Sequence, residues 1–252
     1  MLMESWPVEI EGLWHRYGRE GELWTLKDIN LQLNAGELVG LLGPSGCGKT
    51  TLARALGRMV EVPEGQLFLD GCDLTQIRLQ DLREQIALVP QEGYLFTSSL
   101  ADNLRYGDPE ASMDRVEAAA DQARLLADVK GFPDGFDTLV GERGITLSGG
   151  QRQRTALGRA LLMTSPLLVL DDALASVDNN TAAEILASVR RQTQRTIVMI
   201  SHQLSAAAAC DRILVLEQGR LVQQGHHNEL ITIKGPYRSL WEREQAAERL
   251  DA

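Results

Sequence analysis

The sequence predicts an α/β fold built on a parallel β-sheet, and two observations support this. Five short apolar runs are nearly continuous rather than alternating, as in strands buried on both faces of a sheet; they are residues 38–42, 86–89, 167–170, 196–200 and 213–216. Helical patterns lie between them, at roughly residues 49–59, 151–163 and 181–192. Strands that alternate with helices indicate crossover connections within one sheet.

Three further segments flank the predicted sheet. Residues 8–13 and 26–33 alternate apolar and polar side chains, which suits exposed antiparallel strands. Residues 92–165 are mostly helical, with helices expected at 99–106 and 112–127 and no clear buried strand. Residues 241–252 form a charged helical tail, which we interpret as solvated rather than as a partner-binding helix.

Composition narrows the class of protein. With 252 residues, 44% of them hydrophobic, the chain can bury a substantial core. Its net charge of −10 would repel a phosphate backbone, so nucleic acid is not an expected partner. Cys47, Cys72 and Cys210 stand too far apart for a C-x-x-C pair, which favours a reducing, cytosolic compartment.

We expect neither a membrane span nor a signal peptide within this sequence. The apolar runs are far shorter than the roughly 20 residues that a membrane-spanning helix needs. Residues 1–8 lack a basic start followed by a long apolar core. Any membrane role is therefore expected to depend on a partner or on a further segment.

The strongest motif follows the first buried run and opens a predicted helix. It satisfies the pattern G-x-x-x-x-G-K-[ST] with Gly43, Pro44, Ser45, Gly46, Cys47, Gly48, Lys49 and Thr50. Glycines let the backbone N–H groups turn inward towards an anion, and the helix N-terminus adds its dipole. Lys49 is expected to reach the β- and γ-phosphates of ATP and the Thr50 hydroxyl to bind Mg²⁺, with Thr51 completing the site. The alternative is a glycine turn that merely precedes a lysine.

Cys47 within this motif allows two interpretations. The nearby helix N-terminus should favour its thiolate, which would permit a redox role. A small side chain that fills space is the interpretation that we adopt.

A second set of motifs lies about 100 residues later. Leu147 is followed by Ser148, Gly149, Gly150 and Gln151, and the run 167–170 ends in Asp171 and Asp172. With these motifs the sequence resembles the nucleotide-binding domain of ABC ATPases, from about residue 8 to 241. The resemblance implies a P-loop NTPase core with an antiparallel β subdomain (1–91 and 166–240), a helical subdomain with the signature motif (92–165), and a tail (241–252).

The resemblance also assigns roles around the nucleotide. Small residues at a helix start expose N–H groups to an anion, and Ser148, Gly149, Gly150 and Gln151 are similar to the family signature that faces ATP held by a second nucleotide-binding domain. Two such domains then enclose two ATP molecules head to tail, so that one chain alone should be a poor ATPase.

Three polar residues resemble the groups that act on the γ-phosphate. Asp171 matches the Walker B aspartate that orders Mg²⁺; the alternative is a helix N-cap. Gln91 resembles the Q-loop glutamine, which touches Mg²⁺ or the attacking water, with a surface loop as the alternative. His202 resembles the switch histidine, although a lone histidine after a strand is usually structural.

Two aromatic or imidazole features remain open. Tyr17 aligns with the A-loop aromatic that stacks on adenine, but it could be a core residue, and Trp14 or Trp24 could stack instead. His226 and His227 suggest a metal site, yet their segment resembles a surface turn, and we assign no metal beyond Mg²⁺.

The sequence departs from the family pattern at Asp172, where a glutamate is usual. One methylene fewer withdraws the carboxylate by about 1.5 Å, and misplacement on that scale costs on the order of 10²-fold in rate. Residues 175–178 also differ from the usual D-loop, whereas the signature is complete. This combination resembles the degenerate half of a heterodimeric ABC exporter, whose partner supplies the competent glutamate.

Transport direction is indicated by two segments. Residues 138–144 resemble the X-loop of exporter-type domains, and residues 93–96 with 99–104 resemble their coupling region. We therefore expect a motor domain at the cytoplasmic face of the cell membrane, working with a fused or separate transmembrane domain. Two alternatives stay open: an ABC ATPase that acts without a transporter, and a regulatory module that binds ATP but hydrolyses little.

Overall fold

The structure is a computed structural model that describes residues 6–18, 23–141, 146–192 and 194–250. Its strands are β1 (Val8–His15), β2 (Leu26–Leu33), β3 (Leu38–Leu42), β4 (Leu67–Leu69), β5 (Cys72–Asp73), β6 (Ile86–Val89), β7 (Ser98–Ser99), β8 (Leu139–Val140), β9 (Leu167–Asp171), β10 (Thr196–Ile200), β11 (Arg212–Glu217) and β12 (Arg220–Gly225). Its helices are α1 (Lys49–Leu56), α2 (Leu79–Gln85), α3 (Leu100–Arg105), α4 (Met113–Gln122), α5 (Leu126–Lys130), α6 (Gly149–Leu162), α7 (Asn179–Gln192), α8 (Leu204–Ala208), α9 (His227–Leu230) and α10 (Pro236–Leu250).

A six-stranded sheet in the order β12-β11-β3-β10-β9-β6 forms the centre of the fold. Five neighbouring strands of this sheet are parallel: β11, β3, β10, β9 and β6. Every residue of β3, β9 and β10 is buried. The predicted α/β fold is therefore confirmed, and all five predicted strands are present. The sixth strand, β12, escaped prediction because its residues are not apolar enough; it forms because Gln218 and Gly219, at φ +50° and +81°, turn the chain back on β11.

A smaller antiparallel sheet in the order β2-β1-β4-β5 packs beside the central one. Its first two strands confirm the prediction for residues 8–13 and 26–33. The strands β4 and β5 were not predicted, because they have only three and two residues. Asp70 and Gly71, at φ +50° and +73°, form the tight turn that pairs them.

The helical segment differs from its prediction in one place. The single helix expected at 112–127 is wrong, because the chain breaks between α4 and α5, where Arg124 adopts φ +55°. The Leu125 N–H then bonds the Ala120 carbonyl, and the Leu125 side chain is fully buried, which ends α4 as a Schellman motif does. A two-residue strand pair, β7 with β8, also lies in this segment; it is only partly buried, so the expectation of no clear buried strand is not contradicted.

The C-terminal helix begins earlier than the expected tail, at Pro236, a residue favoured in the first helical turn. Tyr237 is fully buried and anchors this helix against the sheet. No helix in the described part of the chain combines the length and apolarity needed to cross a membrane.

The central strands separate two hydrophobic cores. Leu168 and Leu170 of β9 face a core shared with α3, α4, α6 and α7, whereas Leu167 and Val169 face a core shared with α1 and the antiparallel sheet. Both faces of β9 are therefore covered, and its carboxyl end emerges at one edge of the sheet together with those of β3 and β10.

Candidate functional site

The phosphate loop lies between β3 and α1, at this carboxyl edge. Gly43 and Gly48 have φ values of +147° and +112°. A Cβ on Gly43 would lie 2.1 Å from the Leu216 carbonyl oxygen, and one on Gly48 would lie 2.8 Å from the Thr25 carbonyl oxygen. Neighbouring backbone closes against the loop, so glycine is required at both positions.

Lys49 closes the loop from within. Its ammonium donates to the carbonyl oxygens of Gly43 and Pro44, at 2.6 Å and 3.0 Å, and the residue is only 7% exposed. These bonds satisfy the buried cation and hold it beside the N-terminus of α1. Positive charge from the lysine and from the helix end is thereby concentrated where an anion would bind.

Cys47 packs under the same loop as a neutral thiol. Its burial is the largest influence and raises the thiol pKa, although Lys49, whose Nζ lies 4.0 Å from Sγ, acts in the opposite direction. The backbone N–H groups of Lys49 and Cys47 at the helix start do favour the thiolate, as expected, but burial outweighs them. Desolvation outweighs the nearby positive charge, and Cys47 fills space against Gly43.

Thr50 and Asp171 bring together two oxygen ligands of the kind that Mg²⁺ prefers. Thr50 Oγ1 donates to Asp171 Oδ1 at 3.2 Å. Burial raises the pKa of Asp171, while the hydrogen bond from Thr50 lowers it and the neighbouring Asp172 raises it further. A carboxylate in this environment gains from a nearby cation, so the residues present fit a Mg²⁺ ion.

Asp172 follows β9 in an unusual conformation. Its φ is +51°, and its N–H donates to the Ile200 carbonyl of β10 at 3.0 Å. Its Oδ2 lies 4.0 Å from His202 Nε2, beyond hydrogen-bonding distance. The aspartate is 8% exposed, and its carboxylate stops short of the histidine.

Most of the predicted site residues surround one cleft. Its volume is about 350 Å³, within the range of ligand pockets. The predicted residues that line it are Ser45, Gly46, Gly48, Lys49, Thr50, Thr51, Gln91, Asp171, Asp172 and His202. The fold thus brings together every residue that we predicted to be catalytic or to bind the metal, and their roles remain proposals.

Tyr17 lies beside this cleft without lining it. Its hydroxyl donates to Thr51 Oγ1 at 3.4 Å, and the residue is 45% exposed. The rings of Trp14 and Trp24 instead pack edge-on against each other at 5.3 Å, and the Arg16 guanidinium covers Trp24. Tyr17 therefore stays the candidate for stacking on a base.

The signature residues lie apart from the cleft, at the N-terminus of α6. Ser148 Oγ accepts from the Gln151 N–H at 3.2 Å, and Gln151 Oε1 accepts from the Ser148 N–H at 2.9 Å, which forms a capping box. The Gln151 amide also donates to Asp128 at 3.0 Å. Ser148 and Gly149 are exposed, so this turn faces outwards.

Two residues near the site were missed by sequence reasoning. The Gln153 amide donates to the Gln91 carbonyl at 3.3 Å and accepts from the Ser176 N–H at 2.9 Å, so that it joins the backbones of two loops. Glu244 of α10 accepts from the Leu204 N–H through both carboxylate oxygens, at 3.1 Å and 3.2 Å. Gln153 stands two residues after the signature motif that carried the resemblance, but Glu244 had no local signal, because α10 looked solvated.

The two histidines differ in position: His226 is exposed at the start of α9, whereas His227 packs against neighbouring rings. His227 Nδ1 lies 2.6 Å from the Tyr237 hydroxyl, and its ring packs on Trp241. Within the described ranges, no three His, Cys, Asp or Glu side chains are grouped to hold a metal ion. Of the segment predicted to resemble an X-loop, residues 142–144 lie outside the described residues.

Comparison with known proteins agrees with this geometry. The family model described as "ABC transporter" matches residues 26–175. The ATP-dependent lipid A-core flippase of Alkalilimnicola ehrlichii is 44% identical over 235 residues, which is 92% of this chain and 40% of that protein. The human ATP-binding cassette sub-family B member 6 is 38% identical over 244 residues, 96% of this chain and 28% of that protein.

A solved structure, of a bacterial Atm1-family ABC exporter with ATP bound, superimposes with a TM-score of 0.90 at 37% identity. It covers 97% of this chain, which in turn spans 43% of that structure's chain. This chain therefore spans less than half the length of each of these relatives. The family match, the identities and the shared architecture together show that the chain belongs to the ABC transporter family and has its ABC ATPase fold.

Proposed function

We propose that this chain is the ATP-binding and ATP-hydrolysing motor domain of an ABC exporter, at the cytoplasmic face of the cell membrane. The observation that carries the proposal is one cleft lined by Lys49, Thr50, Gln91, Asp171 and His202. Phosphoryl transfer needs little covalent chemistry from a protein, and mostly positioning and electrostatic stabilisation. This set of residues supplies both.

Each residue has a defined part in the proposed reaction. The phosphate loop binds the phosphates of ATP through backbone N–H groups, and Lys49 neutralises their charge. Thr50, Asp171 and Gln91 would hold Mg²⁺, which when bound neutralises charge on the β- and γ-phosphate oxygens. Asp172 orients the attacking water, and His202 contacts the γ-phosphate.

A head-to-tail dimer completes the proposed site. The outward-facing signature turn does not line the chain's own cleft, and the N–H groups of Gly149 and Gly150 at the start of α6 suit an anion. In the dimer, Ser148, Gly149 and Gly150 would approach the γ-phosphate held by a second nucleotide-binding domain. Closure would drive the transmembrane helices, and hydrolysis would reset them.

The position of Asp172 supports a heterodimer. Its carboxylate ends 4.0 Å from His202, so the chain's own site would hydrolyse ATP slowly. A partner domain with glutamate at this position would form the competent site against this chain's intact signature turn.

The relatives support an exporter. The flippase and the Atm1-family exporter are longer than this chain, which spans 40% and 43% of them. A transmembrane domain, fused or separate, would be the partner. The exposed rings of Tyr94 and Tyr106, 70% and 64% accessible, lie in the segment that resembles the coupling region and next to it.

A trans-complementation experiment tests the shared site. The double variant Asp172→Glu/Gly149→Asp has an extended carboxylate but a signature turn that repels phosphate. Alone it should release little phosphate from MgATP; mixed with the unaltered chain, it should be active, because its cleft meets an intact signature. Activity of the mixture no greater than the sum of the separate activities would refute the shared site.

One further function is favoured by the same aspartate. A regulatory module would bind ATP but hydrolyse little even beside a competent partner, and the gap between Asp172 and His202 is consistent with it. Turnover with and without the partner separates the two functions. Vigorous cooperative turnover by the purified chain alone, unchanged by Asp172→Ala, would exclude both the regulatory module and the heterodimer.

A further inference from the structure

A histidine is buried next to the candidate base-stacking tyrosine. His15, the last residue of β1, is 8% exposed. Its Nδ1 lies 3.1 Å from the carbonyl oxygen of Glu61, in the chain segment that follows α1. Because a carbonyl oxygen only accepts, Nδ1 is the donor in this contact, which fixes the plane of the ring.

The His15 ring forms one wall for Tyr17. The two ring centroids are 5.0 Å apart, with an interplanar angle of 85°, within the range of edge-to-face aromatic pairs. The second restraint on Tyr17 is its hydroxyl contact with Thr51, in the first turn of α1. The phenol is thus held at its tip and at its ring, while 45% of the residue stays accessible.

Both restraints on Tyr17 depend on α1, the helix that follows the phosphate loop, or on the segment just after it. Thr51 belongs to α1, and Glu61 lies in the chain just beyond it. The orientation of Tyr17 is therefore set relative to the phosphate loop and not only relative to its own strand. A base stacked on Tyr17 would keep a fixed position relative to phosphates bound by that loop.

The opposite face of β1 carries Trp14, which does not take part in the contact between His15 and Tyr17. Trp14 packs on Trp24, and the guanidinium of Arg220 lies 5.7 Å from the Trp14 ring. Neither tryptophan takes part in the pair formed by His15 and Tyr17. Trp14 therefore offers a control on the same strand.

We propose that His15 is a positioning residue for base recognition: its ring holds Tyr17 in the orientation that stacks on adenine. This inference rests on the proposed function, in which Tyr17 is the adenine platform. His15 contributes to the affinity for the base of ATP and leaves the affinity for the phosphates unchanged.

The test compares two ligands by calorimetry on the full chain with Mg²⁺: ATP and inorganic tripolyphosphate. His15→Leu fills the same buried position with an aliphatic side chain and removes the ring. It should weaken ATP binding about 3- to 10-fold and leave tripolyphosphate binding unchanged. His15→Phe keeps a ring and should retain ATP affinity within about 2-fold of the original. Trp14→Phe should change neither affinity.

A merely structural role would not change the ratio of the two affinities. If His15→Leu leaves that ratio at the original value while Tyr17→Ala lowers it, the role of His15 is refuted and the adenine platform stands. If His15→Phe lowers the ratio as much as His15→Leu, the ring contact is not the cause, and the inference also fails. If Tyr17→Ala itself leaves the ratio unchanged, the platform assigned to Tyr17 fails, and the role of His15 fails with it.

Discussion

Asp172→Glu should convert this chain into a faster ATPase. The substitution returns one methylene to the carboxylate, which extends its reach by about 1.5 Å. The present gap between Asp172 Oδ2 and His202 Nε2 is 4.0 Å. The longer side chain can therefore come within hydrogen-bonding range, roughly 2.6–3.2 Å, of the histidine or of a water beside it.

The size of the effect follows from the geometry. Placing a catalytic group correctly after a misplacement of this scale is worth on the order of 10²-fold in rate, or about 2.7 kcal/mol in activation free energy. The backbone at φ +51° opposes the change, because glutamate lacks the short side chain that tolerates this region. We expect the free energy of unfolding to fall by about 1 kcal/mol, while ATP affinity stays within about 2-fold because the phosphate loop is untouched.

The assay is steady-state phosphate release at saturating MgATP over a series of protein concentrations, since we propose that each site forms between two chains. Asp70→Glu is the matched control, because Asp70 has a similar φ of +50° but is exposed and outside the cleft. It should reproduce the stability loss without changing turnover. If Asp172→Glu binds ATP normally and dimerises but turns over no faster than the unaltered chain, the reach of Asp172 does not limit hydrolysis.

Three further changes have expected outcomes. Asp171→Asn should raise the free energy of unfolding at pH 7 by about 1 kcal/mol, because burial raises the pKa of Asp171 and makes its charged form unfavourable. The same variant should lose Mg²⁺-dependent ATP binding. Urea titration measures the stability, and calorimetry measures the binding. Burial raises the pKa of Cys210 from 9.0 to about 12, so the thiol ionises at lower pH in the unfolded chain than in the folded one. Between pH 9 and pH 10.5 the chain should therefore lose about 2 kcal/mol of stability. Urea titrations at the two pH values should show this loss in the original chain and not in the Cys210→Ala variant. Gln153→Leu should cost about 2 kcal/mol in urea, because the Gln91 carbonyl and the Ser176 N–H lose their partner.

Opposite outcomes would contradict each of these expectations. If the Asp171→Asn protein is less stable than the original, desolvation of the Asp171 carboxylate does not lower the stability of the folded chain. Equal pH dependence in the Cys210→Ala protein would mean that another group controls alkaline stability. A Gln153→Leu loss no larger than that of the exposed control Gln80→Leu would mean that water replaces the lost bonds.

The sequence predicted the parallel sheet because burial on both faces leaves a direct mark. All residues of β3, β9 and β10 are buried, so their apolar runs are continuous. Short strands and helix breaks leave no such mark. The break at Arg124 depends on the burial of Leu125 and on a bond from its N–H to Ala120, and no glycine announces it.

Some features of the candidate site could likewise be predicted from the sequence, and others could not. The phosphate loop was predictable because Gly43 and Gly48 occupy conformations and spaces that only glycine fits. The state of Cys47 was not, because the sequence shows the nearby helix end but not the burial that outweighs it. Contacts between distant segments, such as Glu244 with the Leu204 N–H, likewise depend on tertiary packing that periodicity does not contain.

The two aspartates at the end of β9 link the fold to its chemistry. β9 lies between β6 and β10, so its carboxyl end is covered on both sides, and Asp171 and Asp172 are only 4% and 8% exposed. Burial removes solvation from these carboxylates and Asp172 repels its neighbour, and both effects raise the pKa of Asp171, burial the more strongly. The hydrogen bond from Thr50 opposes these effects, and a cation at the same oxygens would oppose them further. The burial that makes the strand apolar therefore also makes Asp171 favour a nearby cation, which supports the proposed Mg²⁺ site at the end of β9.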